Sequence, residues 1–285
     1  MQNLPFWGFS DPFSSWTHLL AGGVALVGSV LLYRRGRGSG ARLWALCIYS
    51  FSLVFLYSMS GVYHLLEPGG AARAVLQRLD HAGIWVLIAG TFTPVHVILF
   101  RGPWRWLILL LIWVIAITGL VLEVIFFTSF PQWLILTLFL GLGWMGVLTG
   151  YKFRTSFRGE SLHNLLMGGI CYSVGAIIDF LNGPTFWPQV LGAHEIFHIF
   201  VIMGSFYHWR FIYQWAAHPV ANTITFRVTI FPHPRYVAEA TSDHLRLEAE
   251  SLDELKKMIV ENVRAKYHKS IQPQIHLKYF QEETL

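Results

Sequence analysis

Residues Trp104 to Phe127 read WRWLILLLIWVIAITGLVLEVIFF, and this stretch decides the fold. Its only charged residues are Arg105 and Glu123. Crossing about 30 Å of hydrocarbon takes roughly 20 mostly apolar residues in helical form. A helix also satisfies its own backbone hydrogen bonds, which lipid cannot do. A transmembrane helix is therefore expected here, and the same pattern repeats on either side of it. Six further apolar blocks run Ser15–Tyr33, Leu43–Leu66, Leu79–Phe100, Trp133–Tyr151, Leu162–Leu181 and Val190–Tyr213. Among the breaks between them are Arg34-Arg35-Gly36-Arg37-Gly38, Glu67-Pro68-Gly69-Gly70 and Asn182-Gly183-Pro184, all turn-forming sequence. Trp44, Trp104, Trp106, Trp133, Trp187, Trp209 and Tyr213 lie at block edges, where amphipathic rings settle at the membrane–water boundary. Gly141, Gly143 and Gly146 allow helices to approach closely.

Composition agrees. Of 285 residues 54% are hydrophobic and 13% charged, against about 25% charged in ordinary soluble domains. The deficit ends near Ala217. From His218 onward the sequence is polar, with nine Lys/Arg balanced by nine Asp/Glu, so the net charge of +5 belongs to the apolar part. Those basic residues are scattered over short loops, which speaks for topology control and against nucleic-acid binding. Cys47 and Cys171 lie inside apolar blocks and read as packing residues, not as a disulfide framework or a metal motif. The first residues lack a basic n-region, so the first span is expected to act as an uncleaved insertion signal.

The expected architecture is an all-α membrane protein: a seven-transmembrane-helix bundle over residues 1–217, followed by a small soluble α+β domain over 218–285. In the tail, Thr223–Phe231, Tyr236–Ala240, Leu245–Ala249 and Gln274–Phe280 read as strands. Ser251-Leu252-Asp253-Glu254 reads as a capping box opening a helix with Leu255, Ile259 and Val263 on one face. His233, His244, His268 and His276 have no metal spacing and read as surface residues.

With the N-terminus outside, the cytoplasmic loops hold Arg34, Arg35, Arg37, Arg42, Arg101, Arg105, Lys152, Arg154, Arg158 and Arg210, and the outer loops only Arg73 and Arg78. Basic loops stay inside, so the tail is expected in the cytoplasm.

Ionisable groups are costly in a bilayer, so each is a functional candidate: His18, Ser60, His64, Asp80, His81, Glu123, His163, Asp179, His194, Glu195, His198 and His208. Drawing the spans sorts them. His64 ends the second, Asp80 and His81 open the third, and His194 and His198 open the last, all on one side. His194 and His198 share a helix face, as do Ser60 and His64. Three histidines leave the fourth position of a zinc ion open, the arrangement of catalytic zinc. Asp80 could hold or deprotonate a water there, and Ser60 could orient a substrate carbonyl. Glu123 and Asp179 are far from this set along the chain and receive no role. His194-Glu195-Ile196-Phe197-His198 also spells H-E-x-x-H, which raises an intramembrane metalloprotease as a rival with Glu195 as base.

These residues resemble the hemolysin III family, relatives of the progestin and adipoQ receptors. The resemblance runs from about Phe13 to Tyr213. Its marks are Ser14-Ser15-Trp16-Thr17-His18, Ser60-Gly61-Val62-Tyr63-His64, Arg78-Leu79-Asp80-His81-Ala82-Gly83-Ile84, Ile88-Ala89-Gly90-Thr91-Phe92-Thr93-Pro94, and His194-x-x-x-His198 followed by Gly204-Ser205. The tail beyond Ala217 departs from the family's usual short ending. The resemblance implies a seven-helix bundle with zinc on His64, His194 and His198, Asp80 at the zinc-bound water and Ser60 beside it. Distant similarity to alkaline ceramidases implies hydrolysis of a lipid amide or ester, in membrane-lipid homeostasis at a bacterial plasma membrane. In the animal receptors the N-terminus is cytoplasmic, the reverse of the loop-charge reading here. A membrane lipid is the expected substrate or ligand, and the tail offers a surface for a protein partner or for self-association. The alternatives are a non-enzymatic receptor or regulator with structural zinc and, ranked last, a pore-forming lysin, which seven permanent spans do not suit.

Overall fold

A computed structural model describes residues 10–157, 159–187, 190–218, 223–231, 235–241, 245–266 and 272–281. Arg158, His233, His244 and His268 lie outside the described residues. The apolar part folds into helices α1 (Pro12–Gly36), α2 (Gly40–Leu65), α3 (Ala71–Leu99), α4 (Pro103–Ile125), α5 (Gln132–Trp144), α6 (Gly146–Ser156), α7 (His163–Phe180) and α8 (Ala193–Trp215). Pro12 and Pro103 open α1 and α4, where a missing N–H costs nothing and the fixed φ favours the first turn. Ser39 caps α2 by accepting from the Arg42 N–H.

Among the described residues, five segments are long and apolar enough to cross a membrane: α1, α2, α3, α4 and the α5–α6 pair. The expected block Trp133–Tyr151 is thus one stretch interrupted at Met145 and prolonged to Ser156. α7 (His163–Phe180), with Asp179 next to its last residue, and α8, with Glu195 and Arg210, are not among those five.

α3 is the central helix, with 83% of its apolar window buried. It packs against α2 on one side and α4 on the other; α1 packs on α2, α7 on α8, and α1 meets α8. Leu107, Leu110, Val114 and Ile117 of α4 stay exposed, as a lipid-facing helix requires. Pro94 inside α3 cannot donate to the helix ladder. The hydroxyls of Thr91 and Thr93 beside it bond to Leu87 O and Ala89 O. At the opposite end from the histidines, buried Arg42 closes the α1–α2 turn. Its guanidinium donates to Gly36 O, Arg37 O, Ala217 O and His218 O.

The tail forms a sheet in the order β3-β2-β1-β4, from β1 (Thr223–Ile230), β2 (Tyr236–Ala240), β3 (Arg246–Ala249) and β4 (Gln274–Gln281), with helix α9 (Leu252–Lys266) before β4. β1 pairs antiparallel with β2 and parallel with β4, Phe226 lying opposite Leu277. Ile224, Phe226 and Val228 meet Leu255, Ile259 and Val263 of α9 in a core of their own. Ser251 Oγ accepts from the Glu254 N–H, as the capping box requires. His276 is exposed.

Candidate metal centre

The end of α2 and the start of α8 bring three imidazoles together. His194 Nε2 lies 3.3 Å from His64 Nε2 and 3.2 Å from His198 Nε2. His64 and His198 are buried, whereas His194 opens onto a cavity. At about 2.0–2.1 Å per zinc–nitrogen bond, tetrahedral ligands stand about 3.4 Å apart, so the separations fit a shared ion. The proton positions fit as well. His64 Nδ1 is 3.1 Å from Asp11 Oδ2, and His194 Nδ1 is 3.0 Å from Asp179 Oδ1. An acceptor at Nδ1 places the ring proton there and leaves Nε2 a bare lone pair. Two lone pairs aimed at each other across 3.3 Å repel unless a cation lies between them.

Arg73 fixes Asp11 in turn, donating to its Oδ2 at 2.7 Å and to Leu66 O. Burial alone would raise the Asp11 carboxyl; the hydrogen bonds from His64 and Arg73 outweigh it and hold the group down at about 2. The ring of His18 stacks on His198 at 3.7 Å. The Ser14–His18 run at the start of α1 thus supplies one wall of the site.

Ser60 and Asp80 line the same cavity as His194 and His198, which has a volume of about 860 Å³. Asp80 acts electrostatically on His194, His81 and Tyr63. From Asp80 to Val95 along α3 the cavity runs roughly 22 Å at 1.5 Å per residue. Its walls are mainly apolar, with Leu56, Ile84, Ile88 and Phe92 among them.

Two of the carboxylates left without a role find one here. Asp179 orients His194. Glu123 is buried and accepts from His81 Nδ1 at 2.8 Å and Trp85 Nε1 at 2.6 Å. Glu195, placed beside the metal by the H-E-x-x-H reading, is occupied elsewhere. Its Oε2 accepts from the Gly192 N–H at 2.9 Å, capping the start of α8, and its Oε1 accepts from Ser14 Oγ at 3.3 Å. His163 and His208 stand outside the cluster, His208 bonding to Leu165 O. Asp11 was missed because it precedes the first apolar block; its signal was an Asp-Pro pair, a helix-start signature, just ahead of the Ser-Ser-Trp-Thr-His run.

Fold and site together define a helical membrane protein with a metal-competent histidine cluster at the head of an internal apolar cavity. The chain belongs to the haemolysin-III related family, whose model matches residues 6–209. Its relatives include Hemolysin-3 of Bacillus cereus, 32% identical over 176 residues, or 62% of this chain and 77% of that one. The Hemolysin-3 homolog of Bacillus subtilis (strain 168) is 29% identical over 176 residues, or 62% of this chain and 79% of that one.

Proposed function

We propose that this chain is a zinc-dependent hydrolase of a membrane-lipid amide or ester, serving lipid homeostasis. The observation that carries the reading is the convergence of three histidine Nε2 atoms, two of them backed by carboxylates, at the head of a long apolar cavity. His64, His194 and His198 would hold the ion. Bound zinc supplies Lewis acidity and draws a water's pKa down towards about 7. Asp80 would take the proton of the attacking water and return it to the leaving amine or alcohol as the acyl C–N or C–O bond breaks, while Ser60 would hold the scissile carbonyl. The cavity takes the acyl chain and excludes bulk water.

In this reading α7 and α8 also cross the bilayer, giving seven spans. The N-terminus lies outside and the tail in the cytoplasm of a bacterial plasma membrane, as loop charge favours. Residues 1–217 form the catalytic domain, and 218–285 form a soluble domain for a protein partner or a second copy.

The test is metal analysis of purified protein together with release of fatty acid from ceramide, beside His198→Ala and Asp80→Ala. Zinc-dependent turnover in wild type, lost in both variants, is the expected result. Bound zinc without cleavage would favour a non-enzymatic regulator, and absence of metal from fully folded protein would overturn the reading.

A further inference from the structure

A second concavity opens on the lipid-facing surface, at the end of the bundle opposite the histidines. It is a groove of about 600 Å³ with Thr93 and Val97 of α3 as its floor. One wall is Gly40, Ala41, Trp44 and Ile48 of α2, the other Trp106, Leu109 and Trp113 of α4. We propose that this groove binds an anionic glycerophospholipid, with an acyl chain between the tryptophans and the phosphate at Arg37 and Arg105.

The interior selects hydrocarbon. Its polar side-chain atom on the floor, Thr93 Oγ1, already accepts from Trp113 Nε1 at 3.0 Å and donates to Ala89 O at 2.9 Å. Apart from the indole N–H groups of Trp44 and Trp106, the remaining walls are apolar, so a polar ligand gains little there. Trp44 and Trp106 are 70% and 60% exposed, as rings at a membrane–water boundary are. The mouth therefore sits at headgroup depth.

The rim selects the headgroup. Arg37 is exposed three residues before Gly40, its guanidinium over the Tyr33 ring. Arg105 lies over the Trp106 ring at 5.8 Å. Residues 12–66 and 81–122 contain no Asp or Glu, so these segments bring no carboxylate to this end of α1–α4. An anionic phosphate complements that rim better than a zwitterion.

The test uses the full chain in non-ionic detergent with equal amounts of dioleoyl phosphatidylglycerol and dioleoyl phosphatidylcholine, read by native mass spectrometry. The expected result is a phosphatidylglycerol adduct favoured by about fivefold, with the preference reduced in Arg37→Gln. Gly40→Leu places its isobutyl group in the groove that Gly40 lines; the Cβ itself meets nothing within 4 Å, and α2 gains from losing a glycine. It should cut retention about tenfold, as should Ala41→Phe. Gly143→Leu, which fills the internal cavity instead, should leave the adduct intact. Equal retention of the two lipids would overturn the proposal. So would an adduct that survives both filling variants, or one lost only in Gly143→Leu.

Discussion

His194 Nδ1 and Asp179 Oδ1 meet at 3.0 Å although α8 and α7 carry them separately. The contact sets the tautomer of a metal-competent histidine from a neighbouring helix. Asp11 does the same for His64 from the start of α1. The cluster is therefore oriented from outside the helices that bear it.

Asp179→Asn should weaken metal binding by about 10–100-fold, because an amide no longer favours the Nδ1-protonated ring. Asp11→Asn should act likewise through His64. Competition with a fluorescent chelator measures both affinities. Unchanged values would mean that the carboxylates only fill space.

Metal should also staple the fold. His64 and His198 come from α2 and α8, so an ion binding only the folded form adds about 2.7 kcal/mol at a hundredfold excess over its Kd. Stripped protein should melt below reloaded protein, and His198→Ala should abolish that difference. Identical melting curves for stripped and reloaded wild type would count against a shared ion.

Glu195→Ala should cost stability and leave the metal in place. Losing the cap on α8 costs about 0.5–2 kcal/mol, and Ser14 loses its partner too. A protease-type general base would behave the other way, with turnover lost and melting unchanged. Thermal unfolding beside metal content separates the two.

Gly119→Ala should destabilise by about 1–3 kcal/mol. A methyl group there collides with the six-membered ring of Trp85, which is 1% exposed and tethered to Glu123 through its indole N–H. Gly141→Ala meets nothing within 4 Å and should be neutral or mildly stabilising. Equal melting temperatures for the two variants would show that Trp85 is free to shift.

The apolar blocks were legible because a membrane imposes one length and one composition on anything that crosses it. The interruption at Met145 was not, since no proline or charge marks it. His64, His194 and His198 could be grouped from span direction and four-residue spacing alone. Asp179, Glu123 and Asp11 could not be assigned, because their partners lie on other helices and only packing brings them near. Glu195 shows the opposite hazard. A motif of three fixed residues placed it at the metal, and helix-start geometry claimed it instead. In the tail, alternation marked the strands, but nothing local reveals that β4 returns parallel to β1.

Arg42 gathers carbonyls from the close of α1 and from Ala217 and His218, where the chain leaves α8. The chain therefore leaves α8 from a fixed post. Any displacement of Ala217 or His218 is thereby felt at the turn between the first two helices, beside the tryptophan groove and at the opposite end of the bundle from the histidines.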